Sequence, residues 1–435
     1  MSAERNIFFA SSVGLTAGLA FLYGIYTGYY EVWPYPVVRQ MKTITESLVV
    51  HGDLVPLNRR HEAPADAPRE DFTVHQADAR AFGYYAVLGW NDETETYAVW
   101  LYDSDGTRHH LWSIDYAGID PDGPRHGSDA PHGFHVLRDG SIVVGFDNGD
   151  VMARLDTCGQ PLWTRTGFFH HAITQAQDGN LWTWYAEDHA YGHYQYILKV
   201  DALSGETLER IGLVEDIIGH SATQRDIFGI PRTFDFRWFR DEPPSKADDL
   251  FHPNDVDELS EDVAAVFPMF DSGDLILSFR NLHLVTVIDR DTHAVKWWRR
   301  GPWIFQHDPE FRTDGLISVF SNNTDSRGTS EIITIDPGTD AVSNPLNASA
   351  FTFYTRSRGK HSYLPNGNLL VVIPEEGRAV ELSPSGTRVL EINNVYPDKP
   401  AYNDDITNVK WFAPTYFEQM PACPARKGIP TAGVR

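Results

Sequence analysis

Residues 135–146 read HVLRDGSIVVGF, and this pattern recurs along the chain. A histidine is followed by a few residues, an Asx-Gly pair and a β-branched apolar run. The Asx-Gly pair is typical of a hairpin turn, and the apolar run is typical of the strand that follows it. Further copies occupy residues 171–184, 307–320 and 361–373, and a looser copy starts at His252 and resumes at residues 270–279.

A second pattern follows most copies: another strand, a polar turn and a strand that contains tryptophan. Residues 151–164 and 284–298 show it, and residues 97–114 look like the outer half of a further unit. Strand quartets that repeat every few dozen residues predict an all-β fold, a six-bladed β-propeller over residues 76–420. We expect residues 408–416 to return to an incomplete blade and close the ring. A β-sandwich would explain the turns but not the repeated histidine.

The repeated histidines point to a site. The first strand of each propeller blade lines the central channel, so equivalent positions on several blades converge at one mouth. A ring of imidazoles is expensive to bury unless it binds something polar. The alternative is a structural histidine that was inherited with the repeat. The histidines concerned are His135, His171, His252, His307 and His361.

The N-terminal part of the chain differs from the repeats. Residues 7–30 contain no charged residue and are long enough, as a helix, to cross a hydrocarbon core of about 30 Å. We therefore expect an uncleaved transmembrane helix that anchors the chain within residues 1–36, with a cleaved signal peptide as the alternative. A short helix and a proline-rich stalk are expected over residues 37–75, and a tail over residues 421–435.

Net charge and cysteine content limit the classes of partner. The 36 basic and 60 acidic residues leave a formal net charge of −24, which argues against nucleic acid because binding it needs a cationic face. The two cysteines, Cys158 and Cys423, exclude a disulfide-dense scaffold and a cysteine-rich zinc module. They leave open one long-range disulfide or two unrelated buried thiols.

Several segments, in order, resemble those of bacterial arylsulfate sulfotransferases, and the likeness spans roughly residues 83–415. Residues 252–254 (HPN) and 277–280 (LSFR) are similar to the family's His-x-Asn and Leu-Ser-x-Arg pair. Residues 306–323 resemble its nucleophile segment, and residues 170–180 resemble its earlier His-His segment.

The resemblance implies a six-bladed propeller enzyme that moves a sulfuryl group from an aryl sulfate ester to a phenolic acceptor, independently of PAPS. It implies that His307 is transiently sulfated, and that no metal or cofactor is needed. Together with the expected anchor, it implies a propeller on the periplasmic or extracytoplasmic side.

The implied site has two sets of residues. The catalytic set is His307, His252, Arg280 and His171. The substrate-binding set is Asn254, His170, Lys360 and His361, the last two through a resemblance of residues 357–361 to the family's last catalytic segment. We favour His171 over His170 as the catalytic member of its pair because it stands closer to the hairpin turn.

These residue types suit the chemistry. Sulfuryl transfer resembles phosphoryl transfer, in which charge spreads over three equatorial oxygens, and a guanidinium is a good planar donor to them. A neutral imidazole is a competent nucleophile, and a second one can protonate the departing phenolate. The aromatic residues of segments 234–239 and 301–305 suit either an aryl pocket or ordinary blade packing.

Two other functions fit the same residues. A metal-dependent hydrolase could use His171, His252, Asp308 and His361 as ligands. A non-catalytic propeller on a membrane anchor could serve as a ligand-binding or assembly module.

Overall fold

The apolar runs that follow the Asx-Gly turns become the second strands of antiparallel sheets in the computed structural model of the chain. Ile142–Phe146, for example, is buried along its whole length, as a continuous apolar run predicts. The structure describes residues 3–29, 59–121, 130–146, 151–187, 195–231, 249–324, 328–347, 349 and 351–424. In the first of these ranges it describes side chains for residues 14–27.

The described residues form six blades, which confirms the predicted propeller. Two short strands come first, β1 (Arg60–Glu62) and β2 (Phe72–Val74). Blade 1 contains β3 (Tyr84–Asn91), β4 (Thr96–Asp103) and β5 (Arg108–Ile114). Blade 2 contains β6 (Pro131–Val136), β7 (Ile142–Phe146), β8 (Val151–Leu155) and β9 (Pro161–Thr166). Blade 3 contains β10 (Phe168–Gln175), β11 (Leu181–Ala186), β12 (Gln195–Val200) and β13 (Thr207–Gly212).

The second half of the ring repeats this arrangement. Blade 4 contains β14 (Pro253–Glu258), β15 (Leu275–Phe279), β16 (Leu284–Ile288) and β17 (Val295–Arg300). Blade 5 contains β18 (His307–Phe311), β19 (Ile317–Ser321), β20 (Glu331–Ile335) and β21 (Val342–Ser343). Blade 6 contains β22 (Lys360–Tyr363), β23 (Leu369–Ile373), β24 (Arg378–Leu382) and β25 (Arg388–Asn393). Two more strands follow, β26 (Tyr402–Asp404) and β27 (Ile406–Phe412).

The end of the chain closes the ring. Strand β27 pairs with β3 and becomes the innermost strand of blade 1, as expected for residues 408–416. Strand β2 adds a fifth strand to blade 6, and β1 pairs with β26. Residues 60–74 therefore belong to the same compact unit as the blades, and the predicted stalk over residues 37–75 is wrong for this part.

A disulfide fastens the closure. Cys158, in the turn between β8 and β9, is bonded to Cys423 near the end of the described chain. The two possibilities that the sequence left open are thus resolved in favour of the bridge. Tyr416 and Phe417 pack against the apolar residues between blades 1 and 2, so the chain beyond β27 stays on the propeller up to the disulfide.

The N-terminal residues form a separate compact unit, residues 1–59, that contains helix α1 (Ala3–Tyr29). Within the described ranges, no helix is both long and apolar enough to cross a membrane. The predicted transmembrane helix within residues 1–36 is therefore not supported. Three glycines and two threonines between residues 14 and 27 lower the hydropathy of this segment.

Short helical segments occupy the connections between strands. In the link between blades 3 and 4, residues 213–227 form successive helical turns that pack into the apolar core between these blades. The other described segments are Tyr116–Ile119, Glu261–Ala264, Arg280–Leu282 and Pro374–Glu376.

Candidate active site

β-Bulges shape the end of the channel where the first strands begin. A bulge re-aims side chains that would otherwise alternate across the sheet, and bulges are common beside active sites. In blades 2 to 5 the pairing between the first two strands is interrupted at His132, at His171 and Ala172, at Asn254, and at Asp308 and Pro309.

Unfavourable backbone conformations concentrate at the same end. A positive φ at a non-glycine residue costs about 1–3 kcal/mol and persists where the surrounding contacts enforce it, commonly at functional sites. Of the ten such residues in the described chain, seven lie here: His171, His252, His283, Phe305, Asp308, Asn323 and Arg358.

The imidazole of His307 is held in one tautomer. Its Nδ1 lies 2.7 Å from Oδ1 of Asn322, and an amide oxygen only accepts hydrogen bonds. The Asn322 amide is itself fixed, because its Nδ2 donates to the carbonyl oxygens of Thr355 at 3.0 Å and Arg358 at 2.9 Å. Nδ1 of His307 must therefore carry the proton, which leaves the lone pair on Nε2.

His307 is also kept neutral. The residue is 3% exposed, and burial followed by the positive charge of Arg280 holds its pKa well below the usual 6.5. His132 and His252 lower the pKa further, whereas the bond to Asn322 raises it. A neutral imidazole with an available Nε2 lone pair is the reactive form of a histidine nucleophile.

A pair of histidines stands beside His307. Nε2 of His171 is 3.1 Å from Nε2 of His252, and the rings of His171 and His307 have centroids 6.2 Å apart. Nδ1 of His252 donates to the carboxylate of Asp249, whose other oxygen accepts from the His252 backbone N–H at 3.0 Å. With Nδ1 of His252 engaged in this way, the two Nε2 atoms can hold a proton between them next to His307.

Arg280 supplies the positive charge. It begins the helical turn that directly follows β15, and its backbone N–H donates to the carbonyl oxygen of His252 at 3.0 Å. Its guanidinium lies over the ring of Phe305, 4.7 Å from the centroid, and its Nη1 donates to Asn281 at 3.0 Å. The site thus combines a neutral imidazole, a hydrogen-bonded pair of histidines and a guanidinium.

A family model described as arylsulfotransferase (ASST) matches residues 133–395, more than half of the chain. The chain belongs to the arylsulfotransferase family. No curated protein sequence matches it.

The solved structures that this chain resembles share little sequence with it. A protein of unknown function from Bacteroides caccae is 11% identical, over 76% of this chain and 98% of that one, with a TM-score of 0.48. TolB from Acinetobacter baumannii is 13% identical, over 76% of this chain and 66% of that one, with a TM-score of 0.44. Virginiamycin B lyase from Staphylococcus aureus is 13% identical, over 62% of this chain and 71% of that one, with a TM-score of 0.35.

The structure brings together the four residues of the predicted catalytic set, and two substrate-binding candidates adjoin them. The amide of Asn254 donates to the carbonyl oxygen of Gln306 at 2.8 Å and so holds the start of β18 in place. Nε2 of His170 hydrogen-bonds to Gln195 at 2.7 Å, and its ring is 5.2 Å from that of His171. Of the adjacent residues His170 and His171, it is His171 that contacts His252.

Lys360 and His361 are not brought into the histidine cluster. Nζ of Lys360 lies 2.6 Å from Asp255 and 2.9 Å from Asp308. Nδ1 of His361 lies 3.0 Å from Asp308, and its Nε2 lies 2.8 Å from Oγ of Ser318. Burial alone would raise the pKa of Asp308, but Lys360 and His361 hold it below its usual value. These contacts fix the carboxylate of Asp308, the residue that follows His307.

The channel contains a cavity of about 250 Å³ beside the carboxylate of Asp308. Burial, followed by the charge of Asp255, raises the pKa of Asp257 to about 7, while burial and Lys360 lower the pKa of Lys410 to about 8.

Across the described ranges, no three or more His, Cys, Asp or Glu side chains form a group that could hold a metal ion. The ligand set of the metal-dependent alternative is therefore not assembled there.

Sequence reasoning missed His132. Its ring lies 4.6 Å from that of His171, whereas His135, the histidine that the repeat suggested, contacts Lys410 and Tyr416 instead. The sequence does carry a signal: His132, His171 and His307 each precede the Asp of their hairpin turn by seven residues, and His135 precedes it by four.

One of the two aromatic segments reaches the site. Phe305 lies under Arg280 and meets the ring of His283 edge to face, with ring centroids 4.8 Å apart. Trp303 is buried and donates to the carbonyl oxygen of His283 at 2.8 Å. Segment 234–239 lies outside the described residues.

Proposed function

We propose that the protein transfers a sulfuryl group from an aryl sulfate ester to a phenolic acceptor through a sulfated His307, without PAPS. The observation that carries this proposal is the hydrogen bond between Nδ1 of His307 and Asn322, which directs a neutral Nε2 lone pair toward the channel mouth. Membership of the arylsulfotransferase family supports the reaction class.

In the first half-reaction, Nε2 of His307 attacks the sulfur of the donor as the S–O(aryl) bond breaks. The bonding electrons leave with the aryl oxygen, which takes a proton from the His171–His252 pair. The sulfated ring keeps the proton on Nδ1, where it is hydrogen-bonded to Oδ1 of Asn322. The ring is therefore an imidazolium, so its N–S bond stays reactive. Arg280 stabilises the negative charge on the equatorial oxygens.

In the second half-reaction, a phenol replaces the first product. The His171–His252 pair takes the phenolic proton as the oxygen attacks sulfur, and the N–S bond breaks with its electrons returning to Nε2. His307 is neutral again, the pair has regained the proton that it gave up, and the net reaction exchanges one aryl group for another. Phe305 offers the phenyl ring an apolar face beside Arg280.

We further propose that the propeller works in an extracytoplasmic, oxidising compartment. The Cys158–Cys423 disulfide supports this, because disulfides persist in such compartments and are rare in the cytosol.

The test uses 4-nitrophenyl sulfate as donor and phenol as acceptor. Trypsin releases residues 301–312, whose only histidine is His307, and mass spectrometry of alkaline-quenched samples is expected to find the sulfo group on this peptide. His307→Asn should abolish both the adduct and the release of nitrophenol. The control, His109→Ala, changes an exposed histidine that pairs with Asp103 and should leave both unchanged.

Nitrophenol release with no adduct on this peptide would contradict the histidine intermediate. Absence of both release and adduct would instead favour the non-catalytic module. Activity with PAPS but not with the aryl sulfate would overturn the proposed donor.

A further inference from the structure

We propose that His132 is a further catalytic residue, which donates an imidazole N–H to an equatorial oxygen of the sulfuryl group as it is transferred. The inference rests on the proposed function and assigns this histidine, which the resemblance did not include, to the same site.

The register of blade 2 places His132 at the mouth. It occupies the bulge between Pro131, which pairs with Phe146, and Gly133, which pairs with Gly145. The bulge in blade 3 contains His171 in the equivalent position, and both residues stand seven before the Asp of their turns. Neighbouring blades therefore present two imidazoles in the same way.

His132 packs directly on the proton-carrying pair. Its ring is inclined 66° to that of His171, with centroids 4.6 Å apart, and the residue is 7% exposed. It is also near enough to His307 to lower the pKa of that residue, together with Arg280 and His252. His132 thus stands on the blade 2 side of the nucleophile, and Arg280 enters from blade 4.

The chemistry calls for a donor in addition to Arg280. The transferring group carries its negative charge on three equatorial oxygens, and fixed N–H donors aimed at these oxygens stabilise the transition state. The His171–His252 pair is needed at the aryl oxygen, where a proton must be exchanged. His132 and His170 are the two imidazoles of the cluster that take no part in proton transfer and are not the nucleophile. Of these two, His132 is the one close enough to His307 to lower the pKa of that residue.

Three variants of the full-length chain test the assignment. His132→Ala removes the donor, His132→Gln restores an N–H donor without an imidazole, and His135→Gln is the matched control three residues along the same strand. The rate of the single-turnover sulfation of His307 should fall by about 10²-fold in His132→Ala, the loss typical of one oxyanion donor. The single-turnover rate of His132→Gln should be at least about tenfold higher than that of His132→Ala. The rate of His135→Gln should match that of the wild type.

A second measurement does not depend on turnover. Isothermal titration with inorganic sulfate should show weaker binding to His132→Ala than to His132→Gln and to the wild type. Circular dichroism and thermal melts check that each variant is folded. Equal impairment of the Ala and Gln variants, or a normal rate in the Ala variant, would overturn the role of His132.

The two proposals fail differently. If the wild type forms no His307 adduct, the transfer reaction fails, and the sulfate titration alone then decides whether His132 binds a tetrahedral oxyanion. If the wild type forms the adduct and all three variants do so at the wild-type rate, the transfer reaction stands and the role of His132 is rejected.

Discussion

A single amide decides which nitrogen of His307 carries the proton and which keeps its lone pair. Asn322 is anchored through its Nδ2 to two backbone carbonyl oxygens, so its oxygen faces Nδ1 of His307. Replacing it with alanine lets the imidazole take either tautomer and rotate. Asn322→Ala should therefore lower kcat by about 10²-fold with little change in KM, because orientation and not binding is lost. Steady-state kinetics check this, and an unchanged kcat would show that the tautomer is not limiting.

The pH dependence of the reaction follows from the environment of His307. Burial and Arg280 hold its pKa well below 6.5, so the reactive neutral form persists to acidic pH. Arg280→Gln removes one of these causes. The pKa of His307 should then rise toward 6.5, and the acidic limb of kcat/KM should move to higher pH. The control Arg299→Gln removes an equal charge that pairs with Asp340 and should leave the limb in place.

NMR titration of the His307 ring measures the same shift without turnover. An acidic limb that stays in place in Arg280→Gln, together with an unchanged titration of His307, would contradict this account of its low pKa.

Asp249 acts through His252, because its carboxylate accepts from both Nδ1 and the backbone N–H of that residue. A positioning residue for the proton donor matters most when the leaving group is a strong base. Asp249→Ala should therefore slow transfer from phenyl sulfate by about 10²-fold and transfer from 4-nitrophenyl sulfate much less. Asp340→Ala, an exposed carboxylate paired with Arg299, is the control. Equal losses with both donors would contradict a role in proton transfer.

At the scale of strands, blades 2 and 3 meet so closely that a glycine is required. A Cβ on Gly133 would collide with the carbonyl oxygen of His171 and lie 3.0 Å from the backbone N of Ile173. Gly133→Ala should therefore shift β6 against β10 and displace His171. A displacement of about 1 Å can reduce a rate by about 10²-fold, so activity should fall far more than thermal stability.

The strand itself supplies the control for this variant. Gly145 pairs with Gly133 across β6 and β7, but a Cβ there would meet the flexible end of Ile173 at 3.3 Å. Gly145→Ala should keep most of its activity, since a side-chain end can move where a backbone cannot. If both variants behave alike, the contact between the blades does not position the site.

The sequence predicts the blades better than it predicts the site, and the reason lies in the range of the contacts. Hairpin turns and apolar runs are local, so the repeat identified the strands and predicted that His171 and His307 lie at the mouth. In blade 2 the repeat pointed to His135, and His132, three residues earlier, was missed. In blade 6 the repeat pointed to His361, which binds Asp308.

The partners that tune the site are beyond the reach of such patterns. Asn322 meets His307 across a hairpin, and Asp249 lies three residues before His252, ahead of β14. The strand register brings the first pair together and the local backbone before β14 brings the second, and the repeated pattern of the sequence marks neither partner.

At the scale of the whole molecule, the protein has a net charge of −24, whereas the histidine cluster has the positively charged Arg280 beside it. Other cations that the sequence places beside the marked segments are paired: the guanidinium of Arg358 lies 2.9 and 3.1 Å from the two carboxylate oxygens of Asp405, and Lys360 lies between two carboxylates. We therefore expect the proposed sulfate ester donor to be recognised at short range, because long-range attraction to so acidic a protein is unfavourable.

Closure of the ring depends on its last strand and on one covalent bond beyond it. Strand β27 completes blade 1, and the Cys158–Cys423 disulfide spans 265 residues of sequence to hold the following segment on blade 2. Such a link restricts the unfolded chain strongly, since all of blades 3 to 6 lies within the loop. The double variant Cys158→Ser, Cys423→Ser should lose about 2–5 kcal/mol of unfolding free energy in urea titrations.

The same variant should retain its activity, because the disulfide lies on the β8–β9 turn and the bulges that build the site are at the start of the first strands. A reducing agent should destabilise the wild type to the level of the double variant and leave the variant itself unchanged. Equal stability of the two proteins under oxidising conditions would mean that β27 and the packing of Tyr416 and Phe417 close the ring without covalent help.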